Sequence, residues 1–336
     1  MTSARPKHPH KADEGPALDR VLTLEIARAS ERAAVAAARF RGRGDEMAAD
    51  REAVRAMHDE LDGLPVTGTV VIGEGEKGAV ESLWIGEKIG TGRGPAVDIA
   101  AAPLEGTTIC AKNLPDAISI VAIAEAGSLL EVPDVYMDKI AIGPGYPAGL
   151  VGLDRSPTEN LTRLAEAKGR PIEEITACIL DRPRHARLIE EVRATGASIR
   201  LIGDGDVTGV IHTTEAEDTG IDIYMGIGGA PEGVLAAAAL RCIGGQMEGR
   251  LMLDRHDKLE RARALGITEP AKIYRLEDMV RGDVLFAATG ITDGNFLQGV
   301  KFGRDRITTE TVVMRSSTGT VRWIRAHHTH LDKFDG

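Results

Sequence analysis

Aromatic side chains are scarce, at 3% of the 336 residues. Proteins that stack nucleic-acid bases, and lectins that present a flat face to sugars, depend on such side chains. The net charge of −10 also leaves no basic stripe that could neutralise a phosphate backbone. These two features exclude nucleic acid as a partner. A small phosphorylated ligand remains compatible, because acidic residues can bind phosphate through a divalent cation.

Cysteines are few, and long apolar runs are missing. Cys110, Cys178 and Cys242 lie far apart in apolar stretches without C-x-x-C spacing, which predicts reduced, buried thiols. No run is long enough to cross a bilayer, and residues 1–17 lack the apolar core of a signal peptide. We expect a cytoplasmic protein that begins with a flexible tail over 1–18 and ends with a short tail over 331–336.

The rest of the chain, 19–330, has the patterning of one α/β domain. Helices are predicted over 19–40, from 45 or 46 to about 61, over 184–195 and over 231–242, and strands over 69–72, 97–100, 117–124, 176–180, 199–202, 221–225, 283–289, 307–315 and 320–325. The last two strands form a hairpin through residues 317–319. Alternation of strands and helices indicates a layered α/β fold. The Gly/Pro-rich stretch 143–152 is the predicted boundary between two coupled halves.

Acidic residues stand beside glycines at the ends of two predicted strands. Glu74 and Glu76, in Gly-Glu-Gly-Glu, follow the strand 69–72. Glu105 and Thr107, in Pro-Leu-Glu-Gly-Thr, follow the strand 97–100 and a turn at Pro103. Loops at strand ends carry ligand sites, and glycine lets a ligand approach the backbone. A plain polar turn is the competing interpretation of each segment.

Two further segments lie in the second half of the chain. Asp204-Gly-Asp206 follows a strand, with the basic run Arg182-Pro-Arg-His185 upstream as a phosphate seat. Gly226-Ile-Gly-Gly-Ala-Pro-Glu-Gly233 places Pro231 in the first turn of a helix and Glu232 at its second position. A solvated helix start and simple helix capping compete with these interpretations.

Together and in this order, these segments, with Trp84-Ile-Gly-Glu-Lys88 and Ala288-Thr-Gly-Ile-Thr-Asp-Gly294, resemble the class II (GlpX-type) fructose-1,6-bisphosphatases over residues 19–328. The resemblance implies the layered α/β/α/β/α sandwich of the metal-dependent, lithium-sensitive sugar and inositol phosphatases. It implies removal of the 1-phosphate of fructose 1,6-bisphosphate in gluconeogenesis, with Mn²⁺ or Mg²⁺ as cofactor. By the same analogy the protein is a homo-oligomer, either a dimer or a tetramer.

Site residues follow from the same resemblance, position by position. The implied metal ligands are Asp50, Glu74, Glu105 and Glu232. Catalytic roles are implied for Thr107, which positions the attacking water, and for Glu76 and Asp45. The implied contacts to the sugar bisphosphate are Glu105, Gly106, Thr107, Tyr136, Arg182, Pro183, Arg184, Asp204, Gly205, Asp206 and Gly229.

The chain departs from the family pattern at three positions. Ala102 stands where an aspartate normally bridges the metals, Glu46 where lysine is common, and Gly78 where an aspartate is expected. Because a methyl group cannot bind a cation, at least one metal position should be weakened. Glu46 and Asp50 are four apart on a predicted helix, so Glu46 is a candidate replacement ligand. The competing interpretation is a solvent-facing acid at a helix start.

Three functions therefore stay open. The first is a phosphatase for fructose 1,6-bisphosphate. The second is a catalytically weakened paralogue that binds a sugar phosphate as a sensor or partner subunit. The third is a phosphatase for a different sugar phosphate.

Overall fold

The computed structural model describes residue 18 and residues 21–334. Most of the predicted N-terminal tail therefore lies outside the described residues. Leu18, at the end of that tail, is fully buried, and its carbonyl oxygen accepts a hydrogen bond from the Arg315 guanidinium at 2.7 Å. Leu18 thus belongs to the folded core.

Two long helices open the described chain. They are α1 (Leu22–Ala38) and α2 (Glu46–Asp62), which confirms both helices predicted there. Their small buried residues, such as Ala29, Ala33, Ala49 and Ala53, let the two helices pack closely on one another and on a sheet. Within the described residues, no helix is both long and apolar enough to cross a membrane.

The next part of the chain builds half of the first sheet. Its elements are β1 (Thr67–Ile72), β2 (Lys88–Ile89), β3 (Ala96–Glu105), α3 (Thr107–Lys112) and β4 (Ile118–Glu125). The predicted turn at Pro103 is wrong, because β3 stays extended to Glu105. The pairing of β3 with β4 shifts between Ala102 and Glu105. Proline lacks a backbone N–H, and such an irregularity accommodates it without loss of a ladder hydrogen bond.

The middle of the chain forms the second sheet and its helices. In order, they are β5 (Tyr136–Ile142), α4 (Pro157–Lys168), β6 (Thr176–Leu180), α5 (Ala186–Ala194), β7 (Ser198–Ile202), α6 (Asp206–Ile211), α7 (Ala216–Thr219), β8 (Ile223–Gly229), α8 (Ala230–Ile243), β9 (Gln246–Leu251), α9 (His256–Ala264) and β10 (Ile273–Arg275). A short 3₁₀ helix, Pro183–His185, leads into α5. The stretch 143–152 lies between β5 and α4, and the division of the chain there stays a prediction.

The last part returns to the first sheet. It contains α10 (Leu276–Met279), β11 (Val284–Gly290), β12 (Lys301–Phe302), β13 (Ile307–Arg315) and β14 (Thr320–His328). The predicted hairpin is confirmed, because β13 and β14 pair antiparallel across a 3₁₀ turn, Ser316–Thr318. Residues 331–334, within the predicted C-terminal tail, form a 3₁₀ turn whose Leu331 and Phe334 pack against the core beneath α1.

Two mixed sheets organise the molecule. The first has the order β12-β13-β11-β4-β3-β1-β2, with β14 paired to β13, and the second has the order β10-β9-β5-β8-β6-β7. Helices α1 and α2 cover one face of the first sheet, while α4 and α5 pack with the second. Helix α8 contacts strands of both sheets, and its apolar residues join the core that the sheets share. The α/β class is confirmed.

The three cysteines are free and buried, as predicted. Burial raises the pKa of the Cys110 thiol to about 11 and that of Cys178 to about 12. Both thiols therefore stay protonated and unreactive near neutral pH.

Candidate active site

Two adjoining cavities lie where the end of β3 faces strands of the second sheet. We call the first, of about 340 Å³, the carboxylate cavity; its polar lining includes Asp50, Glu74, Glu105, Thr107 and Glu232. We call the second, of about 400 Å³, the arginine cavity; its lining includes Tyr136, Arg182, Arg184 and Lys258. Glu105, Asp134, Asp204 and Glu232 line both cavities. A ligand could therefore occupy both at once.

The end of β3 delivers Glu105 and Thr107 to the carboxylate cavity. Gly106 has a φ of +88°, a left-handed conformation that favours glycine, and it caps the start of α3. Thr107 is the first residue of that helix and lines the same cavity as Glu105. The backbone N–H of Val207 donates to Glu105 Oε1 at 3.3 Å, which links this strand end to α6.

The start of α8 brings in Glu232, the third helical residue rather than the second as predicted. Helix α8 begins one residue before Pro231, which explains the difference. Gly229 precedes the helix, and a Cβ there would lie 1.7 Å from Glu232 Oε2. Only glycine leaves room for this carboxylate to fold back over the strand end, and any other residue at 229 would displace it.

Asp206 has a buried cationic partner that sequence reasoning missed. The ammonium of Lys139, on β5, donates to Asp206 Oδ2 at 2.5 Å and to the Gly229 carbonyl oxygen at 2.8 Å. Lys139 is 1% exposed. It therefore ties the start of α6 to the residue before α8, and both of these partners line the arginine cavity.

Arginine side chains shape the second cavity. The guanidinium of Arg184 donates from Nε and Nη2 to the Ile227 carbonyl oxygen at 3.0 and 2.8 Å. Its centre lies 4.7 Å from the Tyr136 ring centroid, a cation–π contact that holds the guanidinium plane. Arg182 lines the same cavity beside Asp204. No carboxylate within hydrogen-bonding distance of Arg184 is found among the described residues, so its charge is available to an anion.

His185, the last residue of the predicted phosphate seat, has a structural role instead. It is buried, its Nδ1 donates to the Leu180 carbonyl oxygen at 2.7 Å, and its Nε2 accepts from the Ile227 N–H at 2.8 Å. Burial lowers the pKa of His185, which keeps the ring neutral. The neutral ring bridges β6 and β8 and so supports Arg184.

Burial and neighbouring charges raise the pKa values of the carboxylates in this cavity. Burial, followed by the charges of Asp50 and Glu232, raises the pKa of Glu74 to about 8. Burial, followed by Asp206, Glu232 and Asp204, raises the pKa of Glu105 well above its ordinary value. The pKa of Glu232 is raised by burial and by Asp206, with Lys139 opposing. The charged forms of these acids are disfavoured because too little positive charge lies nearby.

Other predicted site residues lie at the margin. Asp45 caps α2, and its side chain accepts a hydrogen bond from the Ala48 N–H at 2.9 Å. Glu46 is exposed at the first position of α2, and its charge contributes to a raised pKa of Asp204, for which burial is the largest cause. Glu76 is exposed and lies outside the lining of both cavities. The roles assigned to these three residues stay predictions.

A family model described as bacterial fructose-1,6-bisphosphatase, glpX-encoded, matches residues 20–328. The chain belongs to this family. Fructose-1,6-bisphosphatase 1 class 2 of Escherichia coli (strain K12) is 43% identical over 331 residues, which cover 94% of this chain and 97% of that protein. The D-fructose 1,6-bisphosphatase class 2/sedoheptulose 1,7-bisphosphatase of Synechococcus sp. (strain JA-3-3Ab) is 40% identical over 336 residues, 93% of this chain and 96% of that protein. The resemblance seen in the sequence motifs is confirmed.

Because the chain belongs to this family, the ligand atoms in the carboxylate cavity bear on which cation the cavity suits. Asp50, Glu74, Glu105 and Glu232 offer only hard carboxylate oxygens, the ligand type that suits Mg²⁺ and Mn²⁺. Their raised pKa values fit a site that holds a positive charge.

Ala102 is the position at which the sequence motif predicts a metal-bridging aspartate in the family. It sits on β3 opposite Ile120 of β4, is half-buried, and lines the carboxylate cavity. The methyl group thus occupies a place from which a carboxylate could reach an ion. That the chain has one donor fewer than the family pattern at this position stays a prediction.

Proposed function

We propose that this fructose-1,6-bisphosphatase family member is a metal-dependent phosphatase that hydrolyses the 1-phosphate of fructose 1,6-bisphosphate, giving fructose 6-phosphate and phosphate. The observation that carries the proposal is a pair of adjoining cavities, one lined by carboxylates without a basic side chain and the other containing Arg182 and Arg184. One supplies carboxylates for a cation, and the other supplies arginines for an anion. A sugar with a phosphate at each end matches this arrangement.

The phosphate to be cleaved belongs in the carboxylate cavity. Asp50, Glu74, Glu105 and Glu232 are the proposed ligands of Mg²⁺ or Mn²⁺, with Glu46 as a further negative charge near Asp204. A divalent cation there supplies charge neutralisation at the phosphoryl oxygens and a more acidic water. Thr107, at the start of α3, orients the attacking water through its hydroxyl.

The other phosphate belongs in the arginine cavity. Arg184, held by the Ile227 carbonyl and the Tyr136 ring, can donate its remaining N–H groups to phosphate oxygens. Arg182 adds a second positive charge, and Asp204 and Asp206 accept hydrogen bonds from sugar hydroxyls. Because these groups do not react, they fix the position of the scissile phosphate relative to Thr107.

The family resemblance also implies a fold, a location and an oligomeric state, which belong to the same proposal. We infer that the two sheets and their helices form the layered α/β/α/β/α sandwich. We also infer a cytoplasmic protein that works as a dimer or tetramer in gluconeogenesis.

Phosphate release from fructose 1,6-bisphosphate by the purified protein tests the proposal. We expect turnover with Mn²⁺ or Mg²⁺ and its loss with a chelator. Metal-independent turnover, or turnover that survives substitution of Glu232, contradicts it.

A second candidate function, that of a sugar-phosphate-binding protein with weak catalysis, is favoured by Ala102. The Ala102→Asp variant separates the two. The phosphatase proposal expects clear wild-type turnover, which rises further when the added carboxylate strengthens metal binding. Background turnover in the wild type, together with rescue by Ala102→Asp, would instead establish the binding protein.

A further inference from the structure

Lys258 adds a third positive side chain to the lining of the arginine cavity, beside Arg182 and Arg184. It lies in the first turn of α9 and outside every segment that carries the family resemblance. Its side chain is only 17% exposed, although Ala262 is the one fully buried residue of this helix. Lysine is ordinarily among the most exposed residue types, so its position in a cavity lining calls for a physical reason.

The end of β9 places α9 beside the arginine cavity. The N–H of Met252, the residue after β9, donates to the Tyr136 carbonyl oxygen at 2.8 Å. The Tyr136 ring in turn contacts the guanidinium of Arg184, which comes from the 3₁₀ helix before α5. Two separate elements therefore supply positive charge to one cavity, and an anion in it can receive hydrogen bonds from both.

The Lys258 ammonium is paired with a carboxylate that does not line the cavity. Its Nζ donates to Asp254 Oδ1 at 2.7 Å. The Asp254 side chain is 64% exposed and stands outside the cavity lining. Among the residues that the structure describes, no other carboxylate lies within 4.0 Å of this ammonium. Because an ammonium has three N–H donors, two of them remain for another acceptor.

Stabilisation of α9 alone is the competing interpretation, because pairs of opposite charge four residues apart are common on helices. Arg187 and Glu191 on α5 form such a pair, and the side chain of that arginine is 91% exposed. An exposed pair contributes at most about 1 kcal/mol to stability. It gives no reason for the lysine to be withdrawn from solvent into a cavity lining, whereas an anionic ligand in the cavity does.

The charge of the ligand shows what Lys258 would add. A phosphate ester near neutral pH carries a charge of about −1.5 to −2. Arg184 offers one positive charge, while the charge of Arg182 already acts on Asp204. We propose that Lys258 supplies the second positive charge and binds the non-reacting phosphate of the substrate together with Arg184. Lys258 thereby helps to select a sugar with two phosphates over a sugar with one, a role that rests on the proposed function.

Asp254 is a positioning residue in this arrangement. Its carboxylate holds the ammonium of Lys258 in place, but its negative charge also opposes an incoming phosphate. Asparagine at 254 keeps an oxygen acceptor for the ammonium and removes that charge. Asp254→Asn should therefore tighten phosphate binding about twofold. Unchanged or weaker binding would remove Asp254 from the proposal.

Fructose 6-phosphate probes the role of Lys258 without catalysis, because it carries only the non-reacting phosphate. Calorimetric titration in a chelator measures its binding to the metal-free protein. Lys258→Gln should weaken binding at least about tenfold, whereas Lys258→Arg keeps the charge and should stay within about threefold of the wild type. Asp254→Asn/Lys258→Gln leaves no uncompensated carboxylate and should still bind at least about fivefold more weakly.

Steady-state kinetics with two substrates distinguish phosphate binding from support of the fold. Lys258→Gln should lower kcat/KM for fructose 1,6-bisphosphate about tenfold through KM, and leave that for fructose 1-phosphate within about twofold. Fructose 1-phosphate has no phosphate for the arginine cavity, so a merely structural role would lower both values alike. Arg263→Gln, which breaks an exposed pair with Glu260 on the same helix, is the control and should change neither.

The results separate the role of Lys258 from the proposed function. Fructose 6-phosphate binding that Lys258→Gln leaves unchanged, or its absence in the wild type, overturns the role of the lysine. Equal kinetic losses with both substrates also overturn it and leave the phosphatase standing. If fructose 1,6-bisphosphate is not hydrolysed while binding of fructose 6-phosphate depends on Lys258, the phosphatase proposal fails and the lysine keeps its role in binding.

Discussion

The carboxylate cavity and the arginine cavity share a wall, yet their charged groups are held in different ways. Arg184 is already fixed by a backbone carbonyl and an aromatic ring, and its charge is ready for an anion. Burial instead raises the pKa values of Glu74, Glu105 and Glu232, and neighbouring carboxylates raise them further. The arginine cavity therefore presents a positive charge that the fold holds in place, whereas the carboxylate cavity gathers acids whose charged forms are disfavoured unless a positive charge lies nearby. Variants on either side of the wall should differ accordingly.

The largest effect is expected on the carboxylate side. Glu232→Gln keeps the side-chain shape but removes a charge, so we expect kcat to fall by about 10³-fold. In a chelator the same variant should melt at a higher temperature than the wild type, because one repulsive buried carboxylate is gone. Turnover assays and thermal melting measure both changes. Glu166→Gln, at an exposed position of α4, is the matched control and should change neither.

On the arginine side, Arg184→Gln should raise KM by about 100-fold and leave kcat within a few-fold. Lysine at this position should restore only part of the binding, because its ammonium lacks the paired donors and the planar group that stacks on Tyr136. Steady-state kinetics with fructose 1,6-bisphosphate measure the difference. Arg187→Gln, a highly exposed neighbour on α5, serves as control. A fall in kcat with unchanged KM would show that Arg184 acts on the reacting phosphate instead.

Lys139 is buried beside the arginine cavity, and the half-buried Lys168 provides its control. Lys139→Met leaves Asp206 buried without a partner, which should cost about 3–5 kcal/mol of unfolding free energy and reduce kcat/KM about tenfold. Lys168 pairs with Asp222 away from both cavities, so Lys168→Met should destabilise comparably without loss of activity. Denaturant unfolding and steady-state kinetics on both variants distinguish a role of Lys139 in the site from general support of the fold. Equal activity losses would reduce Lys139 to a general support of the fold.

The smallest effect concerns pH in the metal-free protein. The pKa of Glu74 is about 8 in the folded state and ordinarily 4.5, so the folded protein holds this proton more tightly. The stability contribution of this group is present below pH 4.5 and is lost as pH rises through 8. In a chelator, the melting temperature should therefore fall between pH 5 and 8.5, and Glu74→Gln should flatten that fall. A melting temperature that rises over this range contradicts the assignment.

Much of this comparison was predictable from local sequence signals. Glu74, Glu105 and Glu232 stand beside glycines at the ends of strands or at a helix start, and such signals are local. The helices α1 and α2 and most strands were also predictable, because their apolar patterns are uninterrupted. The arginine cavity was found through the basic run at 182–185, although the structure gives its last residue, His185, a supporting role.

Other features depend on tertiary packing and were missed. Lys139 lies in β5, where Asp138 and Lys139 interrupt the apolar run, so no strand was predicted there. Its burial arises because β8 and β9 pair with both edges of β5. The extended conformation of the chain at Pro103 likewise depends on pairing with β4. Asp134 and Lys258 line the cavities only because the tertiary fold brings them there. No local pattern encodes these contacts.

The central claim is that the two cavities divide one substrate with two phosphates. The ratio of kcat/KM for fructose 1,6-bisphosphate to that for fructose 1-phosphate, measured with the wild type and saturating Mn²⁺, tests it most directly. Fructose 1-phosphate keeps the scissile group but leaves the arginine cavity empty, so the bisphosphate should be preferred by at least about 100-fold. Equal turnover of both substrates would contradict the account.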